Sequence, residues 1–239
     1  MRTVAGVIEA ALARLFGESI KIAGAGRTDS GVHASGQVIS FSVPRPFPPE
    51  RLTLALNALL PVDCSVRDAA EVAAGFSARF SARERTYVYA VLNRRPRSAL
   101  LTRYAYHVAW PLDPEPMRAA AAHLIGEHDF RAFSASGPEA NPSATVRRVA
   151  RLTVDSRGGL LRLEIAANGF LHHMVRIVVG TLLECGSGRR SPGSIPGILA
   201  AGDRAFGGPT APARGLYLAG VRYADGYDSF SEPLPFYES

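Results

Sequence analysis

The 239-residue chain predicts an α+β fold in two lobes that share a sheet. Three features carry that reading. Stretches of helical and of strand periodicity alternate in both halves of the chain. The dipeptide Gly158-Gly159 sits between two apolar-alternating runs, as in a β-hairpin, so antiparallel pairing is expected. Pro111, Pro114 and Pro116 punctuate the middle, which predicts one lobe over residues 1–110 and another over 111–239.

The elements follow in order. Val4, Ile8, Leu12, Leu15 and Phe16 form one stripe, predicting a helix over residues 3–16. A short strand is expected at Ile20 to Ala25, then a polar loop from Gly26 to Gly36, then a strand over 37–43. After the loop marked by Pro44, Pro46, Pro48 and Pro49, residues 50–60 read as a helix closed by Pro61. Strands are expected at 86–92 and 104–110. Asp113 before Pro114 is a cap followed by proline in the first turn, predicting a helix to about Leu124. The hairpin strands span 146–155 and 160–167, a helix 172–184 ends at Gly186 and Gly188, and 216–223 closes as a strand.

Composition narrows the function classes. No window of 18 residues is free of charge, which excludes a membrane-spanning helix, and Glu9 and Arg14 break any signal-peptide core. Cys64 and Cys185 are too few for a disulfide framework or a thiolate metal site, so a soluble protein of a reducing cytoplasm is expected. The 27 basic side chains exceed the 21 acidic ones, for a net charge of +6, and Lys21 is the single lysine. Arginine forks grip phosphates and stack on bases, which points to nucleic acid. A GC-rich coding bias produces the same excess, so charge sets a direction without deciding.

The densest unusual stretch is Gly24-Ala25-Gly26-Arg27-Thr28-Asp29-Ser30-Gly31-Val32-His33-Ala34. Its glycines ask for backbone angles or close approaches that side chains forbid. One carboxylate, Asp29, lies two residues from Arg27, a setting that suits a nucleophile or base better than an acid. No Lys-Ser/Thr pair follows the glycines, which excludes a phosphate-binding Walker loop, and Asp29 stands where a dinucleotide fingerprint needs glycine. Asp29-Ser30-Gly31 matches an aspartic-protease motif, but that chemistry needs a second such carboxylate and the chain has no second Asp-Ser/Thr-Gly. Taken alone, the tripeptide is more simply a tight turn.

The wider context favours another reading. The run Gly24 to Val38 resembles the catalytic loop of the tRNA pseudouridine synthases of the TruA family, with its Arg-Thr-Asp-x-Gly-Val-His-Ala signature. Further motifs in family order are Phe76 to Ala82 with Arg85 to Tyr89, Gly126 to Phe130 with Phe133, Asn168 to Arg176 with Gly180, and Ala213 to Leu218. The resemblance implies the pseudouridine synthase fold: two α/β lobes with mixed, mainly antiparallel sheets around a central RNA-binding cleft. It also implies isomerisation of uridines 38 to 40 in the anticodon arm of tRNA, a homodimer, and no cofactor or metal. Family members usually carry an extra strand ahead of the first helix. Here Met1 to Val4 already meet that helix, so an upstream strand, if encoded, is expected to raise the yield of soluble dimer.

By the same resemblance Asp29 is the essential carboxylate, Tyr87 the active-site tyrosine and Arg176 the arginine paired with the aspartate. Arg27 is implied as an RNA contact, and Leu216 or Leu218 as lining of the base pocket; Arg79 is an RNA-binding candidate from its setting among aromatics. The residues by themselves leave alternatives: Tyr87 in an alternating strand reads more simply as core, and Arg176 equally as a solvated helix face. His172 and His173, on an ideal helix, point about 100° apart and do not converge on one ion. Arg79, Arg83, Arg85, Arg94, Arg95 and Arg97 interleave with Phe76, Phe80, Tyr87 and Tyr89, mixing phosphate neutralisers with stacking faces. A non-catalytic RNA-binding module on the same fold, or an aspartic hydrolase, are the rival readings.

Overall fold

The computed structural model describes residues 2–136, 145–224 and 226–230. The chain divides into two compact units, Met1–Arg27 with Val38–Ala82, and Thr28–Gln37 with Arg83–Ser239.

The first unit is a small helix-and-hairpin layer. Helix α1 (Val4–Phe16) begins at Thr3, whose hydroxyl accepts from the Gly6 amide at 3.0 Å, and ends at Gly17 in the left-handed conformation. Both ends therefore satisfy groups that the helix leaves unpaired. Ile8, Ala11 and Leu12 meet Leu52 and Leu56 of α2 (Pro49–Leu59) in a core that also takes Ile20. The outer member of the expected stripe, Val4, is exposed. Phe16 and Phe47 close the core edge to face, their centroids 5.5 Å apart. Strands β1 (Ala23–Gly24) and β3 (Ile39–Ser40) pair antiparallel, each shorter than the sequence predicts because they pair only with each other.

The second unit is built on one sheet. Its strands are β2 (His33–Ala34), β4 (Ala82–Asn93), β5 (Tyr106–Val108), β6 (Gly126–Asp129), β7 (Val146–Arg157), β8 (Leu160–Ala167), β9 (Leu216–Tyr223) and β10 (Ser229–Phe230). The order is β10-β9-β4-β8-β7-β6, with β2 added to β9 and β5 to β4. The β4–β8, β7–β8, β6–β7 and β9–β10 pairs are antiparallel, while β2–β9 and β4–β5 are parallel.

The unit boundary falls at Ala82/Arg83, away from the prolines at 111–116. The register of β4 against β8 runs from Arg85↔Ala167 to Leu92↔Leu160, and this ladder ties residues 83–110 to the chain that follows. The loop carrying Asp29 belongs to the same unit, because β2 pairs with β9.

Alternation gives the sheet two apolar faces. Val88, Ala90 and Leu92 join Ala105, Tyr217 and Ala219 on one face. Tyr87, Tyr89 and Val91 lie in register with Ile165, Leu163 and Leu161 on the other. Helix α3 (Pro114–Ala122) packs on β7 and on α4 (Met174–Gly186). Met117, Met174, Ile177 and Leu182 of these helices are fully buried. A short helix α5 (Ile195–Ala201), which periodicity did not reveal, follows α4. No helix among the described residues is long and apolar enough to cross a membrane.

Candidate active site

The loop that carries Asp29 is fastened on both sides of the residue. Downstream, β2 pairs His33 with Tyr217 and Ala34 with Leu218, and the amides of Ser35 and Gly36 both donate to the Leu218 carbonyl at 3.0 Å. The His33 ring stacks on Tyr217, centroids 4.8 Å apart, and its Nε2 lies 2.8 Å from the Arg103 carbonyl. Gly31 turns the chain at φ 81, a region costly for any residue with a Cβ, and Val32 donates its amide to the Asp29 carbonyl at 3.1 Å. The backbone at Asp29 is thereby held, while its side chain stays 33% exposed.

One donor and one imidazole approach the carboxylate at the same oxygen. Arg176 Nη1 lies 2.8 Å from Asp29 Oδ2, and His173 Nε2 lies 3.0 Å from the same atom. Among the described residues neither a hydrogen bond nor an ion pair reaches Oδ1. Arg176, only 15% exposed, is itself braced: its Nε donates to the Ala211 carbonyl at 2.7 Å, and the Ala211 amide donates to the Arg176 carbonyl at 3.0 Å.

The segment around Ala211 lies against α4 backbone to backbone. A Cβ on Gly180 would come within 1.7 Å of the Pro209 carbonyl oxygen, so only glycine admits this approach. Beside it the Gly208 amide donates to Thr181 Oγ1 at 2.9 Å, and that hydroxyl donates to the Ile177 carbonyl at 2.8 Å. Tyr89 adds an anchor from the sheet, its hydroxyl donating to the Pro212 carbonyl at 2.8 Å.

Electrostatics set the protonation of the neighbours. Burial holds the His173 imidazole below its usual range, outweighing the opposite pull of Asp29, and His172, Arg176 and Arg204 push the same way as burial. Burial pushes the Tyr87 phenol up to about 12, Arg85 opposes this, and the Asp29 charge adds to it. Tyr87 stays a neutral hydroxyl at physiological pH. Its ring meets Phe170 edge to face at 5.1 Å.

Asp29, His172 and His173 offer ligand atoms that all lie within 4.8 Å of one another. The expectation that the two histidines diverge does not hold, because α4 starts only at Met174. His172 lies in the preceding turn and His173 is left-handed, leaving their ring centroids 3.9 Å apart. The guanidinium on Asp29 Oδ2 opposes any cation there, and a tetrahedral zinc site would draw its donors to about 3.3 Å separation. The partners of Asp29 are a guanidinium and an imidazole, whereas an aspartic hydrolase requires a second carboxylate sharing its proton.

The structure brings Asp29 and Arg176 into contact and puts Tyr87 within reach of the Asp29 field. Leu216 and Leu218 are buried on β9, and alternation from Tyr217 and Ala219 puts them on the Tyr87 face of the sheet. Arg27 and Arg79 are exposed and belong to the first unit, where the Arg79 guanidinium lies 5.3 Å from the ring centroid of Phe80.

The proposed run of stacking aromatics needs correction. Tyr89 is fully buried and its hydroxyl is used internally, so its ring offers no face to RNA. Arg85 donates to the Asn168 carbonyl at 3.1 Å and so secures the β8–α4 connection. Arg94, Arg95 and Arg97 are exposed in the turn between β4 and β5. Sequence reasoning did not assign His173 to the carboxylate, since its position depends on a left-handed backbone that an ideal helix hides.

Comparison with known proteins places this geometry in a family. Residues 1–81 and 120–224 match the family model described as tRNA pseudouridine synthase. The tRNA pseudouridine synthase A of Moorella thermoacetica is 49% identical over 221 residues, 92% of this chain and 89% of that protein. Its counterpart in Caldicellulosiruptor saccharolyticus is 44% identical over 222 residues, covering 93% and 90%. That of Myxococcus xanthus is 45% identical over 225 residues, covering 94% and 84%. With matches of this extent, the chain belongs to the tRNA pseudouridine synthase family.

Proposed function

We propose that this protein isomerises uridine to pseudouridine in tRNA, with Asp29 as the essential carboxylate. The observation that carries the reading is the Asp29–Arg176 pair: one carboxylate oxygen is bound by the protein and the other has no protein partner among the described residues.

The reaction breaks the bond from ribose C1′ to uracil N1 and joins C1′ to C5. C5 loses a proton and N1 gains one, with no net oxidation or hydrolysis. Attack on C1′, attack on C6 and removal of a proton from C2′ all require an unprotonated oxygen aimed at the nucleotide. Asp29 Oδ1 answers that requirement, while Arg176 compensates the charge from the far side. Tyr87, neutral and buried beside Phe170, offers a ring for the uracil to rest on and a hydroxyl to relay a proton. Leu216 and Leu218 supply the apolar wall, and Arg27 and Arg79, both exposed, contact the RNA. Phe80, 82% exposed beside Arg79, adds a stacking face next to a cation.

The family resemblance supports uridines 38 to 40 of the anticodon arm as targets and a homodimer as the working state. Unmodified tRNA transcripts incubated with the protein, then mapped by pseudouridine-specific chemical labelling, test the reading. Label at one or more of positions 38 to 40 is expected. Label elsewhere overturns the site assignment, and none at all overturns the activity. Light scattering of the free protein should give twice the chain mass, and a monomer would remove the dimer from the proposal.

A further inference from the structure

Four consecutive residues just ahead of β9 are fastened one after another beside the Asp29 loop. The Ala211 carbonyl accepts from Arg176 Nε, and the Pro212 carbonyl accepts from the Tyr89 hydroxyl. Ala213 packs against the loop itself: a Cβ built on Gly31, two residues after Asp29, would sit 3.5 Å from the Ala213 Cβ. Arg214 comes next, its guanidinium over the ring of Tyr106 on β5 at 5.7 Å from the centroid. Tyr106 is in register with Val91, two residues along from Tyr89, so it stands on the Tyr87 face of the sheet.

The arginines of this neighbourhood differ in what their nitrogens hold. Arg176 is bound to Asp29 and to the Ala211 carbonyl, Arg204 donates to the Gly207 carbonyl at 3.1 Å, and Arg85 donates to the Asn168 carbonyl. Arg214 is exposed, and among the described residues no carboxylate, carbonyl or hydroxyl meets its guanidinium. Its charge still reaches inward. Burial raises the Tyr89 phenol and Tyr106 adds to this, while Arg214 and Arg176 both pull it down. A guanidinium over a ring keeps its N–H edge open, and that edge matches two oxygens of a phosphate. An anionic RNA strand has to approach an anionic carboxylate here, and the charge of Arg176 is already matched by Asp29. The phosphates beside the target nucleotide fall to another cation.

We propose that Arg214 binds a phosphate next to the target uridine, with Tyr106 holding the guanidinium in place. This rests on the reading of the protein as an enzyme acting on uridine in RNA. The contact grips the RNA backbone, so it sets affinity and position without selecting the base.

Anticodon-arm RNAs, each carrying one uncharged methylphosphonate, test the proposal on the full chain through fluorescence anisotropy; tritium release from C5-labelled uridine reports activity on the unmodified arm. For the wild type, one methylphosphonate flanking the target uridine should weaken binding about tenfold, the scale of a hydrogen bond to a charged group. Arg214→Gln should weaken binding of the unmodified RNA by the same factor and be indifferent to that methylphosphonate. Arg214→Lys, a point charge without the fork, should keep part of both effects. At saturating RNA the glutamine variant should release tritium near the wild-type rate. A glutamine variant that binds the unmodified RNA within twofold of wild type overturns the proposal. So do losses that simply multiply at every phosphate, because Arg214 then contributes general charge alone. A wild-type chain that binds the RNA and releases no tritium removes the reading of the activity, while the coupling of Arg214 to one phosphate is decided by binding alone.

Discussion

Helices α1 and α4 each span 13 residues and are comparably apolar, yet they are built to different ends. Helix α1 follows the local rules: a threonine cap, a left-handed glycine stop, and one buried stripe made by Ile8, Ala11 and Leu12. Helix α4 breaks them. It opens on a left-handed histidine without a side-chain cap, buries nearly its whole circumference, and requires glycine where the Pro209 carbonyl presses on it. Departures from local preference concentrate where a structure serves chemistry. In this protein they mark the helix that holds Asp29.

The comparison can be broken at several points. The largest structural effect is expected for Gly180→Ala, which places a methyl against a backbone oxygen and should cost about 3 kcal/mol or prevent soluble expression. Chemical denaturation measures the cost, and a change below about 0.5 kcal/mol would show that the contact at Pro209 gives way easily.

Alkaline pH separates the two units. The first unit contains no tyrosine in either of its segments, whereas burial raises Tyr87 and Tyr223 of the second from 10.0 to about 12. The unfolded chain then loses these protons at lower pH than the native one. Stability of the sheet unit is therefore intact below pH 10.0 and is lost as pH rises towards about 12. Hydrogen exchange should show β4 and β9 losing protection across that range before α1 does, and simultaneous loss would contradict the assignment.

The smallest effect belongs to the rule-abiding helix. Thr3→Ala removes one cap bond and should cost about 1 kcal/mol in denaturation while leaving the rate of tritium release unchanged. A large fall in rate would mean that α1 is not merely structural.

What was legible follows the same line. Helix α1, the cap at Asp113, the Gly158-Gly159 hairpin and the strand over 216–223 all matched their sequence patterns, because each rests on local periodicity or turn chemistry. Strands β2, β6 and β10 were not legible. Each is four residues or shorter and exists only through its pairing partner, as His33 and Ala34 do through Tyr217 and Leu218. Residues 83–110 share a compact unit with the chain beyond the prolines, since a break in local structure does not cut a ladder that closes across it. At the site, Asp29 and Arg176 were readable from motifs, and their 2.8 Å contact agrees with the pairing that the resemblance implied. His173 was not, because its direction follows from one backbone angle.

The central claim is that the chemistry belongs to Asp29, held by Oδ2 and acting through Oδ1. Tritium release from C5-labelled tRNA by Asp29→Asn, measured beside its tRNA affinity, tests it most directly. Binding close to that of the wild type is expected, with release no faster than the rate without protein. An asparagine variant that binds tRNA and frees tritium as fast as the native chain would contradict it.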